Sequence, residues 1–286
     1  MSSAFTLLGV AVVLFGGTWP VTKAAIAAGA TPVWFAVSRA GLAALVASVL
    51  LAALGRLRLP VRQDWRVVLA IGLFQIGGFF ALAHLALRVV SAGRTAVLAN
   101  VVSYWLIPLS MIVLGERVSA RRWVAAAFGL AGVAVLAGPW AVDWTAAPEL
   151  LGHGMLMLAA LLWSFAIIAT RRWPPRRPML ELLPWCFGIG TLVLVPLALM
   201  VEPQGGIPMA AWPHMLAVGA VAAPIGTWCV IEVGRRLPGA VSSVGFLLVP
   251  AVGVILAALW LGEPVGWDML VGGALIVAGV VLAARG

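Results

Sequence analysis

Long apolar stretches, broken about every twenty residues by short clusters of Arg, Pro, Gly and acidic side chains, run the whole length of the chain. Read between those breaks, the pattern predicts helical spans at 4–23, 32–54, 66–87, 94–114 and 122–140. A second set follows at 152–170, 179–201, 212–233, 240–261 and 267–284. Each approaches the roughly 20 residues a helix needs to cross hydrocarbon. A β-barrel would instead show alternating polarity in segments of about ten residues, whereas these runs are apolar on every face. The predicted fold class is therefore all-α integral membrane, with ten transmembrane helices.

Composition sharpens the picture by removing soluble alternatives. The 286 residues are 64% hydrophobic and 9% charged, far from the roughly 25% charged content of soluble domains. No separate soluble domain fits between the spans. A net charge of +9 raises the question of nucleic acid, but no Lys/Arg cluster interleaves with aromatics. The basic residues fall between apolar runs and read as topology signals, so nucleic acid is excluded as a partner. Leu7–Phe15 resembles the apolar core of a signal peptide. No Lys or Arg precedes it, and Trp19, Pro20 and Lys23 stand where small residues belong, so an uncleaved first helix is expected.

Counted from the side that holds Met1, the loops and span ends carry Arg56, Arg58, Arg62 and Arg66, then Arg117, Arg121 and Arg122. Arg171, Arg172, Arg176, Arg177, Arg235, Arg236 and Arg285 follow on the same side. The opposite side receives Lys23, Arg88 and Arg94. Fourteen against three is a strong positive-inside bias and predicts that both termini are cytoplasmic. Arg39 is left over, inside the second span.

The chain also repeats itself. "LGERVSARRW" at Leu114–Trp123 and "LGEPVGWDML" at Leu261–Leu270 share a Leu-Gly-Glu start, 147 residues apart. "AGVAVLA" at Ala131 and "AGVVLAA" at Ala278 keep the same interval. Five spans per copy is an odd number, so the second copy must enter the membrane inverted. That predicts two five-helix units, 1–148 and 149–286, around a central cavity, with Glu263 and Asp268 external and the matching arginines cytoplasmic. Inverted repeats with a substrate site near the midplane are typical of secondary transporters. The alternative is that duplication merely makes a large bundle.

Polar groups within the spans are the candidates for chemistry, because an ionisable side chain in hydrocarbon needs a partner or a wet cavity. Arg39, His84, Asn100 and Tyr104 all fall roughly 5 to 15 Å below the external surface at about 1.5 Å per helical residue. Asn100 and Tyr104 are four apart and share a helix face. Arg39 either holds a substrate carboxylate or pairs with a loop or helix-end carbonyl. His84 either carries a proton and bonds substrate or hydrogen-bonds a neighbouring helix. Glu232, one residue from His84's position in the second copy, is a second proton-coupling candidate, or else an interfacial partner of Arg235.

Trp19 and Trp163 stand apart from the tryptophans at span ends and supply flat surfaces for substrate, with simple packing as the other reading. Pro108 and Pro250, in the fourth and ninth spans, each remove a backbone hydrogen bond and predict bent helices, as hinges, with Ser103, Ser242 and Ser243 offering hydroxyls nearby. The fifth and tenth spans lack polar side chains over 124–137 and 269–284 and read as scaffold or dimer surface, for a monomer or homodimer.

"LFGGTWPVTKAAI", Arg39 in "FAVSRAGLAAL", "LGERV" and "FLLVPAVGVILAALWLGEPV" together resemble the drug/metabolite transporter superfamily, in particular its ten-helix EamA-type exporters. The resemblance spans both halves. It implies a carrier in the bacterial inner membrane that moves small metabolites outward, often amino acids, through a cavity lined mainly by helices other than the fifth and tenth. The four-helix multidrug members carry a membrane-embedded glutamate in their first helix, and this chain has none there.

The expected function is secondary export of small organic metabolites by alternating access, amino acids first and apolar or aromatic ones among them. Multidrug or other metabolite efflux is the alternative. The expected partners are the substrate, the lipid bilayer and protons. No Walker GxxxxGK[ST], DxxxD or HExxH motif occurs, and Cys186 and Cys229 have neither CxxC spacing nor a neighbouring His. No cofactor or metal is expected. The rival of another class is an intramembrane lipid-modifying enzyme, which would need paired acids or a nucleophile with its base.

Overall fold

The computed structural model describes residues 2–116, 119–136, 140, 145–236, 245–246 and 248–284. Among them the chain forms α1 (Ser2–Ala27), α2 (Pro32–Ala53), α3 (Trp65–Ala86), α4 (Ala92–Leu114) and α5 (Ala120–Leu136). The second set is α6 (Ala147–Arg172), α7 (Met179–Val201), α8 (209–236), α9 (Leu248–Leu261) and α10 (Trp267–Ala284). The fold is all-α, as the apolar runs predict. Among the described residues seven helices are long and apolar enough to cross a membrane, and three apolar helices, in α5, α9 and α10, are shorter.

Hydrogen bonds between helix ends show which termini lie together. Lys23 at the end of α1 donates to the carbonyls of Leu87 and Val90 after α3. Glu202 after α7 accepts from Val33 N (3.0 Å) and Trp34 N (3.2 Å) at the start of α2. Glu263 after α9 accepts from Ala92 N (2.7 Å) and Gly93 N (2.9 Å) at the start of α4. Arg94 reaches Asp268 (2.9 Å) at the start of α10 and the Leu136 carbonyl (2.7 Å) at the end of α5. Carboxylates on freed helix N–H groups and cations on helix-end carbonyls are the pairings that helix termini favour.

The other end carries Arg56 and Arg177 on Glu181 (2.9 and 3.6 Å), Arg176 N on Asp64 (2.7 Å) and Arg171 on Glu116. Helices therefore alternate in direction, with the Lys23 end and the Arg56 end on opposite sides. Lys23 and Arg94, the end residues of the predicted first and fourth spans, lie four residues before the end of α1 and in the first turn of α4. Their backbone acceptors and acidic partners hold them there.

Packing follows the 147-residue interval. α5 lies along α10, α2 along α7 and α4 on α9. α1 packs on α8 and α9, and its counterpart α6 packs on α3 and α4. Gly115 and Gly262, the glycines of the two Leu-Gly-Glu motifs, both take left-handed φ, 67° and 66°. A residue without Cβ there turns the chain off the helix at little steric cost and aims the following glutamate along the bundle end. Gly72 and Gly219, 147 apart, let α3 and α8 press close on α7 and α2. An added Cβ would stand 2.6 Å from Ile189 in the first case and 3.1 Å from the Arg39 backbone in the second.

Both helices widen into π-helical turns at these contacts, Ile71–Gly78 and Ala217–Ala222. The apolar pattern predicts plain helices there. The wider turns follow the close approach, which a periodicity of apolar residues does not encode.

Candidate functional site

The site begins with a charge where none is cheap. Arg39, on the second turn of α2, is only 5% exposed. Isolated cations carry a desolvation cost of several kcal/mol, of order, so their partners matter. Arg39 has no carboxylate within reach among the described residues. Its Nη1 lies 3.4 Å from His84 Nε2, its guanidinium carbon lies 4.3 Å over the Phe80 ring, and its Nε is buried without a hydrogen-bond partner. Among the described residues no loop or helix-end carbonyl accepts from it.

His84 sits on the last turns of α3, fully buried. Its Nδ1 lies 2.6 Å from the Phe80 carbonyl one turn earlier. A carbonyl only accepts, so Nδ1 carries the hydrogen and Nε2 presents a lone pair to Arg39. The ring is neutral in this arrangement, and a second positive charge on it would face the guanidinium. Aromatic rings enclose the pair: Trp19, Phe35 and Phe80 lie 6.5, 6.0 and 5.7 Å from the His84 ring. Trp19 meets Phe79 edge-on at 5.9 Å, and Phe79 meets Trp163 at 4.5 Å and 80°.

Trp19, Arg39, His84 and Trp163 are thus brought into one continuous cluster by α1, α2, α3 and α6. The aromatic members Phe35, Phe79 and Phe80 join them unannounced. The signal for Phe80 is its place four residues before His84, beside Phe79 in a consecutive pair.

Two further candidates form hydrogen bonds apart from the Arg39–His84 pair. Asn100, on a 3-10 turn inside α4, donates from Nδ2 to the Ala96 carbonyl at 2.8 Å. Tyr104 shares its face in sequence, but its hydroxyl donates to the Ile276 carbonyl of α10 at 2.6 Å and its ring fills the space over Gly129 of α5. Tyr104 thereby ties α4 to the α5–α10 pair. The glycines there leave a slot that the phenol ring occupies. Tyr104→Phe is expected to lower unfolding stability in detergent by about 1 kcal/mol, the net worth of one buried hydrogen bond, and to leave substrate affinity unchanged. A shift in affinity would return Tyr104 to the site.

Glu232, the other proton candidate, pairs with Arg236 (2.9 Å), one turn on, and the side chain of Arg235 lies outside the described residues. Pro108 interrupts α4 four residues after Tyr104, and Pro250 is buried near the start of α9. Ser242 and Ser243 lie outside the described residues, as does the side chain of Ser103. Ser164 joins α6 to α4 by donating to the Val102 carbonyl at 3.0 Å. Among the described residues no group of three or more His, Cys, Asp or Glu could hold a metal ion.

Access to the cluster differs between the two ends. Arg39 is seven residues into α2, about 10 Å from the Lys23 end at 1.5 Å per residue. That end is shut by the Lys23, Glu202, Glu263 and Arg94 contacts. Toward the Arg56 end, α2 instead borders a cleft of about 470 Å³ shared with α7 and α8.

Comparison with known proteins adds the following. The model of the EamA-like transporter family matches residues 2–138 and again 150–285. The probable terminal-alkyne amino-acid exporter of Streptantibioticus cattleyicolor is 27% identical over 286 residues, 100% of this chain and 94% of its own length. The uncharacterized transporter YvbV of Bacillus subtilis is 25% identical, over 96% of this chain and 90% of its own. A protein of known crystal structure superimposes with a TM-score of 0.68 at 22% identity, covering 99% of this chain and 97% of that chain, a likeness of fold.

Proposed function

The chain belongs to the EamA-like transporter family, and from that premise we propose that it exports amino acids or closely related small metabolites as a secondary carrier. It is a multi-pass membrane protein and a transporter, not an enzyme, by family and by relatives. The lipid-modifying rival therefore falls away.

The observation that carries the substrate class is Arg39. A buried guanidinium with no carboxylate partner, one orphaned Nε and aromatic walls suits a ligand that brings its own carboxylate and an apolar side chain. The carboxylate would take the charge-assisted bonds that His84 only partly supplies. Trp19, Phe79 and Trp163 would face the side chain. The relative named as an amino-acid exporter supports this reading.

In the same proposal, residues 1–148 and 149–286 are two repeats inserted in opposite senses. They rock about the Arg39 cluster to expose it to either side in turn. The two separate family matches, the paired glycines at 72 and 219, and the paired left-handed turns at 115 and 262 support it. The fourteen-to-three basic bias supports an orientation with the Arg56 end and both termini in the cytoplasm, and the proposed location is a bacterial inner membrane. Pro108 and Pro250 are the proposed hinges, and His84 and Glu232 the proposed proton sites. A broader metabolite or multidrug carrier is the second reading, favoured by the aromatic walls, which accept flat apolar solutes that lack a carboxylate.

The test is uptake of labelled phenylalanine, leucine and a decarboxylated analogue into proteoliposomes, with and without an imposed pH gradient. Saturable flux of the acids and none of the amine is expected. Equal flux of the amine overturns the carboxylate reading, and flux indifferent to the gradient removes proton coupling while leaving a uniporter.

A further inference from the structure

The cleft beside α2 has a different character from the Arg39 cluster. Its walls are Leu51, Leu54, Leu183, Phe187, Ile225 and Trp228 among other apolar groups, and among the described residues Arg56 is the one charged residue that lines it. It coincides with a break in the pairing of the halves. α2 packs on α3, whereas among the described residues their counterparts α7 and α8 make little direct contact and both border the cleft.

Leu50 and Leu54 on one side are 53% and 68% exposed, and Ile225 and Trp228 on the other are 41% and 42% exposed, so the opening faces the surroundings of the bundle. In a membrane those surroundings are acyl chains. Water finds no polar partners inside such walls, and an empty space would forfeit the dispersion contacts of every lining atom.

The mouth is electrically specific. Arg56 binds Glu181 through Nε (3.2 Å) and Nη2 (2.9 Å) and keeps a side-chain exposure of 49%. Glu181 is shared with Arg177 at 3.6 Å, so two cations meet one carboxylate and a positive charge is left over. Trp185 donates its indole N–H to the Arg58 carbonyl at 3.0 Å beside the mouth, in the manner of an interfacial tryptophan.

We infer that this cleft holds one acyl chain of an anionic phospholipid from the leaflet at the Arg56 end, with the lipid phosphate against Arg56. The chain fills the space bordered by α2, α7 and α8, and the phosphate neutralises the surplus charge at the mouth. The site depends on the protein being in a bilayer and not on which solute it carries.

The test is native mass spectrometry of the purified full chain with equal amounts of palmitoyl-oleoyl phosphatidylglycerol and phosphatidylcholine. One retained phosphatidylglycerol is expected, preferred about five-fold, the effect of a single arginine near an anionic headgroup. Arg56→Gln, on the exposed rim, is expected to level the two lipids. Leu183→Trp, which fills the cleft, is expected to lose both, and Ala47→Leu serves in its place if that variant does not fold. Equal retention of the two lipids by the wild type, or undiminished retention by the filled variants, overturns the inference. So does displacement of the lipid by millimolar phenylalanine, which would make the cleft part of the solute path.

Discussion

Arg39→Met is expected to lower the flux of carboxylate substrates by about 100-fold, corresponding to loss of about 3 kcal/mol of charge-assisted hydrogen bonding. Arg39→Lys is expected to fall between, because an ammonium keeps the charge without the two-pronged donor geometry. The thermal midpoint in detergent separates this from a structural role. A buried cation without an acidic partner burdens the fold, so Met at this position should leave the midpoint unchanged or raise it. A midpoint that collapses together with the flux would make Arg39 a structural residue and remove the main support for a carboxylate substrate.

The second large effect is expected at the α5–α10 seam. A Cβ on Gly132 would stand 2.7 Å from the Gly272 carbonyl and 3.1 Å from the Ile276 amide, and one on Gly279 would stand 2.7 Å from the Ala125 carbonyl. Those neighbours are backbone and cannot swing away, so the two helices must separate. Gly132→Ala is expected to cost about 1–3 kcal/mol, the usual range for overpacking, visible as a lower midpoint in detergent. Gly9, with nothing within 4 Å of an added Cβ, is the control, and Gly9→Ala should leave the midpoint in place. An equal midpoint for both variants would mean that the seam is looser than its geometry indicates.

Which parts of this were legible in the sequence follows from what each signal measures. Hydrocarbon demands unbroken apolar runs, so the spans could be read from the runs themselves, with the first running on past Lys23 to Ala27 and the fourth beginning at Ala92, just before Arg94. The Leu-Gly-Glu pairs were legible because a left-handed helix stop needs glycine at both Gly115 and Gly262. Counting rise per residue brought Arg39 and His84 to the same depth, and they do meet.

Depth says nothing of azimuth. Asn100 and Tyr104 share a face, yet only the packing of α4 against α5 and α10 decides that Tyr104 points to Ile276. The π-helical turns at Ile71–Gly78 arise from Gly72, Gly77 and Gly78 pressing on other helices, and no local run of residues records which helix will be there.

The bonds that shut the Lys23 end have an unequal dependence on the two sides of each contact. Lys23 and Glu263 grip main-chain oxygens and amides at Leu87, Val90, Ala92 and Gly93, groups that nearly every amino acid possesses. Mutational drift at those four gripped positions therefore leaves the fastening intact so long as the backbone path is kept. The fastening itself asks for particular side chains only at the lysine and the glutamate, whereas Leu87, Val90 and Ala92 are held to their sizes by the buried core around them.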